Sequence, residues 1–331
     1  MATTILDVAK LCGYSKATVS RAFASPDQVA EKTRQRVYEA ARTLNYTPDA
    51  IARAMVRGRT DNIGFVIYEK QYPVVLNPFY SPIFESVLQT CARKGYSLFI
   101  SSDRDLRLPN GQTCVKKQMD GIILAGQSDA QMVMDLRRQN MPVVVLNNAL
   151  DVDDLTCVTT DQYGGALLAM RHLTERGHRK IGLIAGAFSP HVCTSRYNGY
   201  CDALREVGQG VDLRFVQTIE PTAEQALKCA SLILSLPDRP TAIFCTNDTI
   251  AVGTLKAALR AGLRIPEDLA IVGFDDSEIS HLVEPELTTI RVDKIAMGRL
   301  AAERLIAQIE GEPPQKQVIQ TPVELVVRQT T

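Results

Sequence analysis

A chain of 331 residues, 45% hydrophobic and 22% charged, is ordinary globular material, long enough for two or three domains. No run approaches about 18 apolar residues, and the opening Met-Ala-Thr-Thr-Ile-Leu-Asp lacks the basic start and apolar core of an export signal, so a membrane span and secretion are not expected and the cytoplasm is. The formal net charge of zero conceals an asymmetry: residues 1–60 carry ten Lys and Arg against five Asp and Glu, the other 271 carry 27 against 32, and the basic end is the nucleic-acid candidate.

In chain order, Ile5, Val8, Ala9 and Cys12 repeat at helical spacing and predict a first helix, which Gly13 breaks. Ser15 can cap a second helix over Lys16–Phe23, with Val19 and Phe23 pointing inward. A third runs from about Ala30 to Leu44, with Val37, Ala41 and Leu44 toward the core and Lys32, Arg34, Arg36 and Arg42 outside. Three short helices with a glycine turn between the first two have helix-turn-helix geometry, although an ordinary three-helix bundle reads the same way. On the outer face of the second helix, Ser15, Lys16, Ala17, Thr18, Ser20 and Arg21 offer charge for guanine, hydroxyls for phosphate, and a methyl beside thymine.

A fourth, short helix is predicted around Asp49–Arg57, with Thr47 as N-cap, Pro48 at the first helical position, Asp49 in the first turn and Gly58 as its stop. Isolated helices below about 12 to 15 residues are marginal in water, so this one needs a partner. Ile51 and Met55 form its apolar face, and Arg53, Arg57 and Arg59 make it suited to an acidic surface.

The run Thr4-Ile5-Leu6-Asp7-Val8-Ala9-Lys10, then Gly13 through Arg21, Thr33-Arg34-Gln35-Arg36-Val37, Leu44-Asn45-Tyr46-Thr47-Pro48 and Ala52-Arg53, closely resembles the bacterial lactose-repressor/galactose-repressor family of regulators. The resemblance covers nearly the whole chain. It implies a helix-turn-helix domain at 1–46, a hinge helix and linker at 47–60 whose Ala52 and Met55 meet the minor groove, and an effector-binding and dimerisation core at 61–331.

Within that core, apolar runs alternate with helical segments: Ile63–Ile67, Tyr96–Ser101, Gly121–Leu124, Val143–Leu146, Lys180–Ile184, Ala242–Cys245 and Ala270–Phe274. Continuous apolar strands spaced by helices mean parallel sheets covered on both faces. The series restarts near Asp161, so the expected fold is an all-α domain followed by two similar α/β lobes of the periplasmic-binding-protein type, with ligand at the carboxyl ends of the strands. The resemblance adds three crossings between lobes, with lobe 1 at about 61–160 and 291–321 and lobe 2 at about 161–290 and 322–331. A helix over Lys294–Glu310 and a strand near Val318 then return to the first lobe.

By the same resemblance, effector contacts fall on Phe79, Tyr80, Asn147, Arg196, Asn247 and Asp275, with Arg196 and Asp275 expected on loops at strand ends. Paired cation and carboxylate suit ligand hydroxyls, and aromatic faces suit a ring. Each has a plainer alternative: Asn247 as a helix cap, Tyr80 as core, Asp276 beside the site as a turn residue. Three features depart from the family pattern. Met55 replaces the usual leucine wedge, the stretch 102–120 is short and interrupted by Pro109-Asn110-Gly111, and Ile219 stands where some relatives place an aromatic, which favours a sugar or sugar derivative over a purine or nucleoside.

No phosphate-binding, dinucleotide-binding, zinc-protease or nucleophile-elbow motif is present, and the four histidines are scattered; His178 sits in a helix-end turn. The eight cysteines lack zinc spacing. The expectation is therefore a regulator and not an enzyme, with no cofactor and no metal. It would bind a near-palindromic operator as a homodimer and answer to a small molecule. A free-standing periplasmic-type binding protein would explain the lobes but not the basic N-terminal helices.

Overall fold

The computed structural model describes residues 3–24, 26–47, 59–68, 74–106 and 119–331. The expected hinge helix, with Ala52 and Met55, and most of the short 102–120 stretch lie outside the described residues; of the latter, 103–106 form one 3-10 turn.

Helix α1 (Ile5–Cys12) starts where Thr4 donates its amide and hydroxyl to Asp7 Oδ2, at 2.8 and 2.7 Å. It ends at Gly13, whose φ of 76° is left-handed and open to glycine. Helix α2 (Lys16–Ala24) is capped by Ser15, which accepts from the Thr18 amide at 3.1 Å, and α3 (Glu31–Thr43) closes the domain. Val8, Val19 and Val37, one from each helix, are fully buried together, each contributing about 1.5 to 3 kcal/mol. Phe23 stacks on Tyr38 at 5.5 Å between centroids, and the Tyr38 hydroxyl ties α3 to the Ala22 carbonyl.

The core proceeds through β1 (Asn62–Ile67), α4 (Tyr80–Arg93), β2 (Ser97–Ser102), β3 (Gly121–Ala125), α5 (Ala130–Arg138), β4 (Val143–Leu146) and β5 (Thr156–Thr160). It continues through α6 (Gln162–Glu175), β6 (Ile181–Gly186), α7 (Pro190–Glu206), β7 (Val216–Ile219), α8 (Ala223–Leu234), β8 (Ala242–Cys245), α9 (Asp248–Arg260), β9 (Ala270–Val272) and α10 (Ile279–Leu282). The last elements are β10 (Thr289–Val292), α11 (Lys294–Ile309), β11 (Gln317–Thr321) and β12 (Val323–Val326).

Two parallel sheets result, six strands in the order β11-β5-β4-β3-β1-β2 and four in the order β7-β6-β8-β9, joined by an antiparallel pair of β10 with β12. Buried apolar strands such as Gly121–Ala125 demand cover on both faces, which the helices supply. Helix α11 and strand β11, late in sequence, complete the first sheet: α11 lies along α4, where Gly298 comes so close that a Cβ would sit 2.4 Å from the Ile83 carbonyl oxygen, and β11 pairs with β5.

Two parallel strands escaped the reading of apolar runs. Strand β5 is Thr-Cys-Val-Thr-Thr, polar by composition but wholly buried between β4 and β11, and β7 is a half-exposed edge. No helix among the described residues is long and apolar enough to cross a membrane.

Candidate functional site

The carboxyl ends of the two parallel sheets face each other across a cavity of about 210 Å³. Its first-lobe wall is Phe79 and Tyr80 at the start of α4, Gln127 beyond β3 and Asn147 just after β4; its second-lobe wall includes Phe188, Arg196, Glu220, Asn247 and Asp275. The structure thus brings all six residues singled out for the effector to one place.

Arg196 does not sit on a loop. Ser189, which accepts from the Val192 amide, and Pro190 start α7 early enough to place Arg196 inside the helix, pointing into the cleft. There it is 3% exposed. Its Nε donates to Gln162 Oε1 at 2.7 Å, Nη1 donates to the Thr246 carbonyl, Nη2 lies 3.7 Å from Asp275 Oδ1, and the guanidinium stacks 3.6 Å from the Phe274 ring centroid.

Gln162 passes the chain of contacts to the other lobe. Its Nε2 donates to Asn147 Oδ1 at 3.2 Å, and Asn147 Nδ2 donates to the Tyr80 hydroxyl at 3.0 Å. A continuous polar line therefore runs Tyr80, Asn147, Gln162, Arg196, Asp275 across the cleft. Asn147 and Asp275 both have left-handed backbone, φ 57° and 111°, a strain that persists at sites held by their surroundings.

Asp275 is the unsatisfied end of that line, for its Oδ1 is buried without a hydrogen bond. Burial pushes its carboxyl up to about 7, against the pull of Arg196, with Asp248 adding to the rise and Lys294 opposing it. Burial likewise pushes Asp248 up to about 6, although Thr289, at 2.5 Å, and Ser277 donate to it. Asp276 has the opposite fate. Burial raises it, but Arg328 at 2.6 Å and Arg291 at 2.7 Å outweigh that and hold its carboxyl below the ordinary value.

Asn247 and Tyr80 fill both of their alternative roles. Asn247 Oδ1 caps α9 by accepting from the Ile250 amide at 2.8 Å, while the residue still lines the cavity; Tyr80 is 2% exposed, yet its hydroxyl belongs to the polar line. Asp276 is more than a turn residue, as the partner of two arginines. Ile219 does not face the ligand space: it packs against the second-lobe core, and Pro221 and Phe188 line the cavity there instead. The inference drawn from Ile219 against a flat ring therefore falls. Gln162, Phe188 and Asp248 were missed. Gln162 alone left a signal, as a polar residue directly after Asp161, where the sheet series restarts.

On α2, Val19 and Ala22 anchor the helix in the core, leaving Ser15, Lys16, Ala17 and Arg21 exposed and Thr18 and Ser20 half-buried on one open face. His178 Nδ1 meets Thr241 Oγ1 at 2.9 Å, linking the turn before β6 to the residue ahead of β8, its neighbour in the sheet. Among the described residues there is no cluster of three or more His, Cys, Asp or Glu placed to hold a metal.

A family profile described as bacterial regulatory proteins of the lacI family matches residues 4–49, and one for a periplasmic binding protein-like domain matches residues 170–331. The chain is 32% identical over 334 residues to the HTH-type transcriptional repressor PurR of Mannheimia succiniciproducens, covering 99% of this chain and 98% of that one. It is 34% identical over 337 residues to the HTH-type transcriptional repressor CytR of Escherichia coli K12, covering 100% and 96%. Among solved structures it is similar to the Lac repressor dimer bound to operator and the anti-inducer ONPF, with a TM-score of 0.82 at 25% identity over 100% of this chain and 99% of that one. A complex of the transcriptional regulator CelR with cellobiose gives 0.74 at 28% identity over 99% and 100%.

Proposed function

The chain belongs to the lacI family of bacterial regulatory proteins, and from that premise we propose that an uncharged ring compound rich in hydroxyls, a sugar or a nucleoside, binds between the lobes and switches operator binding by a homodimer. The protein is a DNA-binding transcriptional repressor and not an enzyme. Acting on operator DNA, it works in the cytoplasm.

The observation that carries the effector reading is the polar line across the cleft, ending on Asp275 Oδ1, which faces Arg196 at 3.7 Å but accepts no hydrogen bond. A ligand hydroxyl donating there and a ligand oxygen accepting from Asn147 would bind both lobes at once, with Asn247 adding a second contact on the side of Asp275. Phe79, Tyr80, Arg196, Asn147, Asn247 and Asp275 are the proposed contacts. Arg196 is the one cation among the described lining residues, and it is already held by Gln162, Thr246 and Asp275, so a phosphate or acid finds no uncommitted cation there. Phe79 and Phe188 on opposite walls favour a ring with flat faces, which keeps nucleosides beside sugars.

A thermal-shift screen of sugars, sugar phosphates, sugar acids, nucleosides and nucleobases tests this, repeated with the duplex that the protein itself enriches from random DNA. A neutral sugar or nucleoside should raise the transition and alter duplex affinity; a response confined to phosphorylated or acidic compounds would refute the reading. Sedimentation of the same protein should give a dimer, because a near-palindromic operator asks for two reading heads related by a two-fold axis. A stable tetramer at micromolar concentration would sink that part.

For the DNA, the proposed contacts are Ser15, Lys16, Ala17, Thr18, Ser20 and Arg21, with Ala52 and Met55 in the hinge. Lys16 and Arg21 are exposed and make no hydrogen bond or ion pair among the described residues, so Lys16→Ala and Arg21→Ala should leave the thermal transition unchanged. Operator binding should weaken by about 1 to 3 kcal/mol, with relaxed preference at one half-site position where the side chain reads a base. Full affinity and full selectivity in both variants would move the reading surface elsewhere.

A further inference from the structure

Asp120 directly precedes β3, at the edge of the first sheet opposite the cleft, and its carboxylate is occupied entirely by the chain arriving from the DNA-binding domain. The Thr60 amide donates to Oδ1 and Oδ2 at 2.8 and 3.0 Å, the Thr60 hydroxyl to Oδ1 at 2.8 Å, and the Asp61 amide to Oδ2 at 2.7 Å. Neighbouring backbone closes the ring: Asp120 N donates to Asn62 O at 2.8 Å, and Ser97 N to Asp61 O at 2.9 Å. Arg59 donates to the Tyr96 hydroxyl and lies 5.7 Å from the centre of its ring. Asp61 has φ 56°, a left-handed conformation that a non-glycine residue holds only when its surroundings impose it. A carboxylate that takes two main-chain amides and a hydroxyl from consecutive residues fixes backbone position.

The residue after Asp120 is pressed from the other side by α11. A Cβ on Gly121 would lie 2.8 Å from Ile309 Cδ1 and 3.0 Å from Leu305 Cδ1, so the far end of the helix seats directly on the start of β3. Its near end is at the cleft. Lys294, 9% exposed, donates to the carbonyls of Asp275 and Asp276, the turn carrying the carboxylate that faces Arg196. Sixteen residues of helix span about 24 Å, and Ser86 Oγ bonding the Ile295 carbonyl at 2.7 Å pins that rod to α4.

We propose that Asp120 is the positioning residue through which the core sets where the DNA-reading domain is tethered, and that α11 carries displacement of the Asp275–Asp276 turn to it. The clasp is independent of the effector reading above, whereas the role of α11 rests on it. The role of α11 requires a two-state element biased from two sites, which can be measured.

The experiment uses the full chain, with amide hydrogen exchange at Thr60 and Asp61 and affinity for a duplex of about 20 base pairs that the wild-type protein enriches from a random library. In Asp120→Asn the second oxygen becomes a donor facing the Asp61 amide. Exchange at both amides should accelerate about tenfold or more and duplex affinity fall about tenfold, while the core keeps its thermal transition. Unchanged exchange, or faster exchange with unchanged affinity, overturns the clasp. Should Asp120→Asn fail to fold, Thr60→Val, which removes the hydroxyl that donates to Asp120 and accepts from the Asn62 amide, is judged by the same two readings. Lys294→Met tests the rod: exchange at Thr60 and Asp61 should change from a helix length away, and constancy there overturns the part given to α11. If wild-type protein enriches no duplex, operator binding is what fails, and the exchange data alone then decide the clasp.

Discussion

Replacing Arg196 by alanine is expected to erase the response of operator binding to the effector and to hold operator affinity at that of the effector-free protein. The guanidinium is committed on every side, to Gln162, to the Thr246 carbonyl, to Asp275 and to the face of Phe274, and all of these lie in the cleft, away from α2. Its removal strips a buried carboxylate of its counter-charge and leaves two acceptors without donors. Loss of one member of a buried pair costs about 3 to 5 kcal/mol of fold stability, and effector affinity should fall by about 2 to 5 kcal/mol. Arg196→Lys keeps the charge without the fork, so it should recover part of the thermal stability and none of the ligand response. Titration calorimetry with the compound found by the screen reads the affinity. A folded Arg196→Ala protein that still changes its operator affinity fully with that compound would place the effector elsewhere.

Effector affinity should also depend on pH, with the sign set by Asp275. Its carboxyl is pushed up to about 7 by burial, and the ionised form is the one that accepts a ligand hydroxyl with both oxygens. Affinity should therefore be level above pH 8 and fall about tenfold per unit once the pH drops below that value. The stability of the unliganded protein runs the other way. A carboxyl whose folded value lies above its unfolded one contributes stability that is whole below about pH 4 and is lost as the pH rises through about 7. Ligand thus protects most at the alkaline end, where the empty site is least comfortable. Asp275→Asn should bind weakly at every pH, and a wild-type affinity that is flat from pH 6 to 8.5 would remove Asp275 from the site.

Much of this was legible before any coordinates. Helical periods at Val8, Val19 and Val37 are local signals, and so are the apolar runs of β1, β3 and β4, because burial on both faces writes itself into composition. Strand β5 left no such mark: its threonines are buried by β4 and β11, and β11 lies more than 150 residues later. The cleft residues came from motif resemblance, and the geometry that joins them did not. Nothing in the sequence pairs Gln162 with Arg196 and Asn147, since those contacts depend on three separate elements meeting. Arg196 was placed on a loop because strand ends attract ligand residues, whereas Ser189 and Pro190 begin a helix there. Asp120 reads as an ordinary residue ahead of a strand until the linker is seen on it.

The interleaving of the lobes has a consequence for the order in which the protein is made. The three-helix domain is complete within the first 47 residues, packs on itself, and can fold as soon as it emerges. The first lobe must wait, because its edge strand β11 pairs with β5 across 161 residues and its covering helix α11 ends at Ile309. Contacts at such separation make folding slow and leave β5 as an open strand edge in the meantime. A chain broken off before residue 317 would carry a finished DNA-reading head on a first lobe whose sheet stops at an open β5, with the cleft residues all present but the sheet behind them unfinished.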